Sequence, residues 1–225
     1  MLEELLPAGV AVAVARGDIA DALLPEEKPF IAQAVEKRRR EFTTGRACAR
    51  SALARLGLPP CPIPTGPHGA PQWPAGVIGS ITHCEGYRAC AAARTEQLAS
   101  IGIDAELNAP LPDGLLGDIA LAEEREQLLA LARAEPGVSW DRLLFSAKES
   151  VYKAWYPLAE RWLGFEDAYL TIDRDRCAFS ARLLVEGPTL NGAKLSGFTG
   201  SWSVREGIVL TAIAVSAGWA DSPQA

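Results

Sequence analysis

The chain contains only two histidines, His68 and His83, and its five cysteines (Cys48, Cys61, Cys84, Cys90 and Cys177) include no C-x-x-C pair. An odd number of cysteines without such a pair fits reduced, mostly buried thiols better than a disulfide framework. Cys84 follows His83 directly, yet no further ligand stands at metal spacing, which excludes a zinc pair and a Cys-His nucleophile. Positive charge is in short supply: 22 basic residues face 28 acidic ones, and the net charge of −6 argues against nucleic acid as the main partner. The apolar run near the N-terminus, Gly9 to Ala15, is far too short to span a bilayer, and Glu3 and Glu4 stand where a signal peptide carries positive charge. These absences imply a cytoplasmic protein with no membrane partner.

An apolar content of 48% over 225 residues suffices for one large domain or two small ones. Residues 10–15 read as a first strand. A helical pattern over 29–56 stops at Gly57-Leu-Pro-Pro60. Pro-rich loops run to Pro74, and strands are expected over 77–82, 87–93 and 98–103, the last two paired in a meander. The second half opens with a loop over 108–114. An acid-rich helix over 121–134 follows, then a helix over 140–156 that ends against Pro157. Strands are expected over 165–172, 178–184, 200–204 and 208–215, and 219–225 read as a frayed tail. Each half runs helix first and antiparallel strands after, which predicts an α+β pseudo-duplication without a visible sequence repeat.

Two short stretches carry the chemistry. In Ile101-Gly-Ile-Asp-Ala-Glu106 an apolar strand ends in carboxylates at i and i+2, so Asp104 and Glu106 share a face. In Phe145-Ser-Ala-Lys-Glu-Ser-Val-Tyr-Lys153 a helix sets Glu149 one turn before Lys153, with Lys148 beside the acid. Taken alone, the first is commonly a solvated turn and the second a surface ion-pair face. Together, three carboxylates and two ammonium groups can hold a hard divalent cation with phosphate oxygens, an arrangement Mg²⁺ favours and Mn²⁺ also accepts.

In this order the two stretches resemble the G-[IV]-D-x-E strand and the [FW]-[SC]-x-K-E-[SA]-x-x-K helix of Sfp/EntD-type 4′-phosphopantetheinyl transferases. Gly79-Ser-Ile-Thr-His83 is similar to that family's S-[IL]-[ST]-H segment. The resemblance extends over nearly the whole chain. It implies two similar halves in a pseudo-twofold arrangement, 1–106 binding coenzyme A and 107–225 carrying the catalytic helix on the carrier-protein side, in a monomer. The implied reaction moves the phosphopantetheine arm of coenzyme A, the co-substrate, to a serine of an apo acyl or peptidyl carrier protein and releases 3′,5′-ADP. Such carriers serve polyketide, nonribosomal peptide or fatty acid synthesis.

By the same resemblance Asp104, Glu106 and Glu149 would hold Mg²⁺ against the pyrophosphate, with the Ala105 carbonyl a weaker candidate. Glu149 would also take the serine proton, directly or through a water, while Lys148 and Lys153 stabilise charge on the phosphates. A plain salt bridge to Glu149 is the alternative for Lys153. Seven of the 22 basic residues lie between Lys37 and Arg55. On an unbroken helix Arg39, Arg46 and Arg50 share a face, whereas the resemblance points to Arg38 and Arg46 for the coenzyme A phosphates. It adds Thr82 and His83 as further contacts. Many members carry a lysine in the loop matching Thr65-Gly-Pro-His-Gly-Ala70; this loop has none, which leaves His68, backbone groups, or no contact with adenine or the 3′-phosphate there. Trp155 reads as core, and Trp162 and Leu163 as lining for the pantetheine arm or the carrier interface. Two rivals remain. One is a nucleotide pyrophosphate-hydrolysing enzyme using the same carboxylates, for which no R-E-x-x-E-E motif is present. The other is a coenzyme A-binding protein with a degenerate site, against which the intact Asp104, Glu106, Glu149 and Lys153 speak.

Overall fold

The computed structural model describes residues 1–20 and 23–219, so the expected tail lies, beyond Trp219, outside the described residues. Three strands, β1 (Ala11–Ala15), β2 (Val77–Cys84) and β3 (Tyr87–Arg94), form an antiparallel sheet of order β1-β3-β2, and one helix, α1 (Glu36–Arg55), packs on it. The alanine-rich sequence of β3 follows from burial on both faces. Cys90 and Ala92 pack with Ala49, Ala52 and Leu53 of α1, while Ala89, Ala91 and Ala93 pack with Ile101, Ile103 and Ala105. Small side chains let both layers approach closely. Helix α1 starts at Glu36 rather than at 29, after a separate 3₁₀ turn over Lys28–Ile31. Arg39 fills the break by donating from Nε to the Ala34 carbonyl at 2.8 Å and from Nη2 to that of Ala32 at 2.7 Å.

The expected meander stops at β3. The next strand, β4 (Leu98–Leu107), leaves for the second half of the chain. That half contains α2 (Leu115–Ile119), α3 (Ala122–Ala134), α4 (Trp140–Ala159), β5 (Ala168–Asp173), β6 (Ala178–Leu183), β7 (Thr189–Leu190), β8 (Ala193–Lys194), β9 (Gly197–Arg205) and β10 (Ile208–Ser216). β4 pairs with β10 at the edge of an antiparallel sheet of order β4-β10-β9-β6-β5, while β7 and β8 form a small separate ribbon. Side chains rather than a ladder join the two larger sheets. Ser80 Oγ accepts the Ile103 N–H at 3.1 Å and Thr82 Oγ1 accepts the Ala105 N–H at 3.0 Å. Alternate residues of β2 thus point their hydroxyls at β4 and satisfy buried backbone donors along the seam. The architecture is α+β, as expected.

Helix α4 lies directly on β4 and β10. Ser146, Ser150 and Thr211 form a buried cluster, with Oγ to Oγ1 distances of 2.9 and 2.6 Å from the two serines to Thr211. Ser100 Oγ donates to the Ala154 carbonyl at 2.6 Å. Close approach also requires Gly102: a Cβ there would stand 2.0 Å from the Ser150 carbonyl oxygen and 2.8 Å from the Ala154 nitrogen. Gly102→Ala is therefore expected to push α4 off β4 and cost roughly 1–3 kcal/mol, more if the helix cannot shift. Denaturant unfolding checks this; unchanged stability would contradict the close approach. Pro157 does not end α4, which continues to Ala159 and a left-handed cap at Glu160. The bond Pro157 cannot make falls in the last turn, where burial of Ala154 and Trp155 in the core holds the helix. The strand expected over 165–172 begins at Ala168, after a 3₁₀ turn over Phe165–Asp167.

Candidate active site

Three elements converge at the seam. Asp104 and Glu106 sit on β4, Thr82 on β2, and Arg142, Glu149 and Lys153, at helical spacing, on α4. Asp104 is 5% exposed. Its Oδ1 accepts from the Thr82 hydroxyl at 3.0 Å and from Lys153 Nζ at 2.6 Å, while its Oδ2 is buried with no partner. Lys153 also donates to the Ile103 carbonyl at 3.2 Å, so its ammonium bridges from the helix to the strand rather than closing on Glu149. Glu106 Oε2 accepts from Arg142 Nη1 at 3.1 Å. The same guanidinium donates to the carbonyls of Ala109 at 3.1 Å and Pro110 at 3.0 Å, fixing the segment that leaves β4.

Crowded carboxylates shape each other's charge. Burial pushes the Glu149 carboxyl above its ordinary range; Lys153 opposes this and Asp104 adds to it. Burial likewise raises Glu106, with Asp104 reinforcing and Arg142 opposing. Two carboxyls pushed up by burial, beside a buried Asp104 oxygen with no partner, mark a place short of positive charge. The residues present fit a hard divalent cation, being oxygen donors with an orphan at Asp104 Oδ2. Among the described residues no three carboxylate, imidazole or thiol groups converge closely enough to hold an ion unaided. Mg²⁺ commonly completes such a site with phosphate oxygens and water.

Two expected contacts are corrected. Lys148 does not face the cluster: its ammonium is turned into the interior, bonded to Glu124 at 2.9 Å and to the carbonyls of Phe165 and Ala168. Adjacent residues on a helix point about 100° apart, and here the Lys148 ammonium is carried into the interior while Glu149 stays on the cavity side. Thr82 is 2% exposed, and its hydroxyl is committed to Asp104 and the Ala105 N–H, so it acts on the carboxylate rather than on a ligand.

Around the cluster stand the groups of α1. Arg38 Nη1 donates to His83 Nε2 at 2.9 Å, and His83 Nδ1 lies 3.7 Å from Glu41. Arg46 is 5% exposed; its Nη2 donates to Thr65 Oγ1 at 3.1 Å, its guanidinium stacks 4.2 Å from the Phe42 ring, and its Nε is buried without a partner. Burial pulls its pKa down to about 10. Arg50 pairs with the fully buried Glu27 at 2.9 Å, and Arg39 serves the turn before α1, so these two of the three arginines grouped by periodicity hold the fold. His68, with φ 53°, sets its ring 5.6 Å from Tyr156 and 6.3 Å from Trp162. Trp155 is core, as expected. Cys48 and Cys90 are buried, while Cys177 is exposed, against the expectation of mostly buried thiols.

Three cavities border these residues. One of about 470 Å³ is lined by Arg38, His83, Glu106 and Arg142; one of about 290 Å³ by Glu149, Tyr152, Trp162 and Leu163; one of about 710 Å³ by loop residues 66–73 with Glu149, Lys153 and Tyr156. Glu149 lines two of them. Sequence reasoning missed Arg142, Glu41 and Glu124. Only Arg142 carried a signal, standing two turns before Glu149 on the same helix face.

Burial lowers the His83 pKa below its ordinary value, against the pull of Glu41. The unfolded chain then binds a proton that the folded chain refuses, so this contribution is present above the ordinary histidine value and is lost as pH falls through the folded one. His83→Gln is expected to reduce the drop in melting temperature between about pH 7 and pH 5. An unchanged drop would contradict the burial of a neutral imidazole.

A family model described as 4′-phosphopantetheinyl transferase N-terminal domain matches residues 26–93, and one described as 4′-phosphopantetheinyl transferase superfamily matches 100–190. The chain is 54% identical over 221 residues to the 4′-phosphopantetheinyl transferase Svp of Streptomyces mobaraensis, covering 96% of this chain and 90% of that one. It is 51% identical over 195 residues to PptT of Mycobacterium tuberculosis (84% and 85% covered). It is 48% identical over 223 residues to Npt of Nocardia iowensis (95% and 99% covered), and both of these relatives bear the same enzyme name. With its motifs gathered on one seam and both halves matched, the chain belongs to the 4′-phosphopantetheinyl transferase family, of the Sfp/EntD type.

Proposed function

We propose that the seam between the two larger sheets is where the phosphopantetheine arm of coenzyme A passes to a carrier-protein serine. The observation that carries this reading is Asp104, a buried carboxylate held by Thr82 and Lys153 with its second oxygen unpartnered. Asp104, Glu106 and Glu149 would hold Mg²⁺, with Mn²⁺ an acceptable substitute. When bound, the ion would supply positive charge to the pyrophosphate. Lys153 contributes a fixed ammonium on the helix side. Arg38 and His83, at the mouth of the 470 Å³ cavity, contact coenzyme A phosphates, while Arg46 braces Thr65 at the start of the loop and keeps one donor unspent.

The serine oxygen attacks the β-phosphorus, its proton goes to the Glu149 carboxylate, and the bond to the bridging oxygen breaks to release 3′,5′-ADP. Glu149 lines two of the cavities, which puts its carboxylate within reach of a serine presented there. The arm fits the 290 Å³ cavity beside Trp162 and Leu163, within reach of Glu149. Residues 1–106 supply most coenzyme A contacts, and 107–225 supply the helix and the carrier side. A cytoplasmic monomer is consistent with the composition, and among the described residues no helix is long and apolar enough to cross a membrane.

Titration of Mn²⁺ followed by electron paramagnetic resonance tests the site. Coenzyme A should tighten Mn²⁺ binding in the wild type and fail to do so in Glu106→Gln. Equal tightening in both would remove Glu106 from the ligand set.

A further inference from the structure

Glu124 on α3 and Lys148 on α4 form an ion pair whose side chains are 1% and 2% exposed. An ammonium has three protons. Lys148 spends them on Glu124 Oε2 at 2.9 Å, the Phe165 carbonyl at 2.6 Å and the Ala168 carbonyl at 3.1 Å. Glu124 in turn accepts backbone N–H groups from Leu121 at 2.8 Å and Leu170 at 2.7 Å. One pair thus fastens the start of α3, the middle of α4, the turn over Phe165–Asp167 and strand β5. Taking two charges out of water is costly, and a buried pair is weak evidence of net stabilisation.

What the pair holds is a wall. The 290 Å³ cavity beside Glu149 is bounded by Leu163, Gly164, Phe165 and Ala168, with Lys148 also in its lining. Its ammonium is bonded to the wall's own carbonyls at 165 and 168, leaving the methylene stem for the cavity.

We propose that the Lys148–Glu124 pair is a positioning device for the pantetheine arm, fixing the wall over 163–168 so that the arm's phosphate end arrives at Glu149, and that Lys148 does not touch the pyrophosphate. This rests on the functional reading above. It differs from a purely structural role because it separates recognition of the arm from recognition of the phosphates.

Two variants and two probes test it. Lys148→Met leaves Glu124 buried and unpaired, which endangers the fold; the double variant Lys148→Met/Glu124→Gln removes both charges and guards against that. Coenzyme A is compared with adenosine 3′-phosphate 5′-diphosphate, which carries the same phosphates without the arm. In the double variant coenzyme A should bind about tenfold more weakly or worse, since small misplacements cost that much, while the arm-less nucleotide binds unchanged. Hydrogen exchange across 163–170 should rise in the ligand-free protein, because the Phe165 and Ala168 carbonyls lose the ammonium that ties them to α4. Equal weakening of both probes would return Lys148 to the phosphates and overturn the proposal, as would unchanged binding of both. The exchange experiment needs no ligand, and wild-type transfer is measured separately, so a wrong function and a wrong role for the pair give different results.

Discussion

Asp104→Asn should lower the rate of carrier modification by about a thousandfold at saturating coenzyme A, the scale on which preorganised electrostatic groups act. The amide keeps the shape and one oxygen for the Thr82 hydroxyl and Lys153, but it loses the charge that a cation and Lys153 both need. Alanine would be a poorer probe. It would leave the Thr82 hydroxyl without its acceptor at the seam and Lys153 without its counterion. A stability loss of about 1–2 kcal/mol is expected for the asparagine variant, since a charged hydrogen bond becomes a neutral one. Steady-state transfer over a range of Mg²⁺ concentrations, with a thermal melt beside it, separates the two effects. Near-normal turnover at limiting Mg²⁺ would remove Asp104 from the site.

Glu149→Gln should fall nearly as far, for a different reason. The substitution keeps the side-chain shape but removes negative charge and basicity. If Glu149 served only as a ligand, raising Mg²⁺ would recover most of the rate by mass action. Its place in the lining of two cavities favours a second task as proton acceptor. The rate at saturating metal should therefore stay down by roughly a hundredfold or more, the contribution typical of positioned proton transfer. Full rescue by Mg²⁺ would leave Glu149 as a ligand alone, with the serine proton passing to solvent.

Much of the site was legible because it is local. The i, i+2 spacing of Asp104 and Glu106 fixes a shared strand face whatever surrounds it, and Glu149 and Lys153 share a helix face by the same arithmetic. What spacing could not say is where each ammonium goes. Lys153 reaches Asp104 on another element, and Lys148, one residue from Glu149, is directed into the interior by a glutamate on α3. The α1 arginines show the same limit. Helical periodicity grouped Arg39 with Arg46 and Arg50, but Arg39 closes a break in the helix that the pattern did not reveal, and Arg50 answers a buried glutamate from an irregular segment. Most strand positions were readable from apolar runs, the short β7 and β8 were not, and the pairing of β4 was not. β4 joins β10 rather than β3 because Ser80 and Thr82 hydroxyls satisfy its backbone on one side and α4 lies against Gly102. Apart from the Arg39 bonds, which reach back five and seven residues, these are long-range events, and no short window of sequence contains both partners.

The intact mass of an apo carrier protein after incubation with this enzyme, coenzyme A and Mg²⁺ tests the central claim most directly. The account predicts that the carrier gains the mass of one phosphopantetheine group, that 3′,5′-ADP appears in equal amount, and that a carrier with alanine at the acceptor serine gains nothing. Cleavage of coenzyme A with no change in the carrier's mass would contradict it.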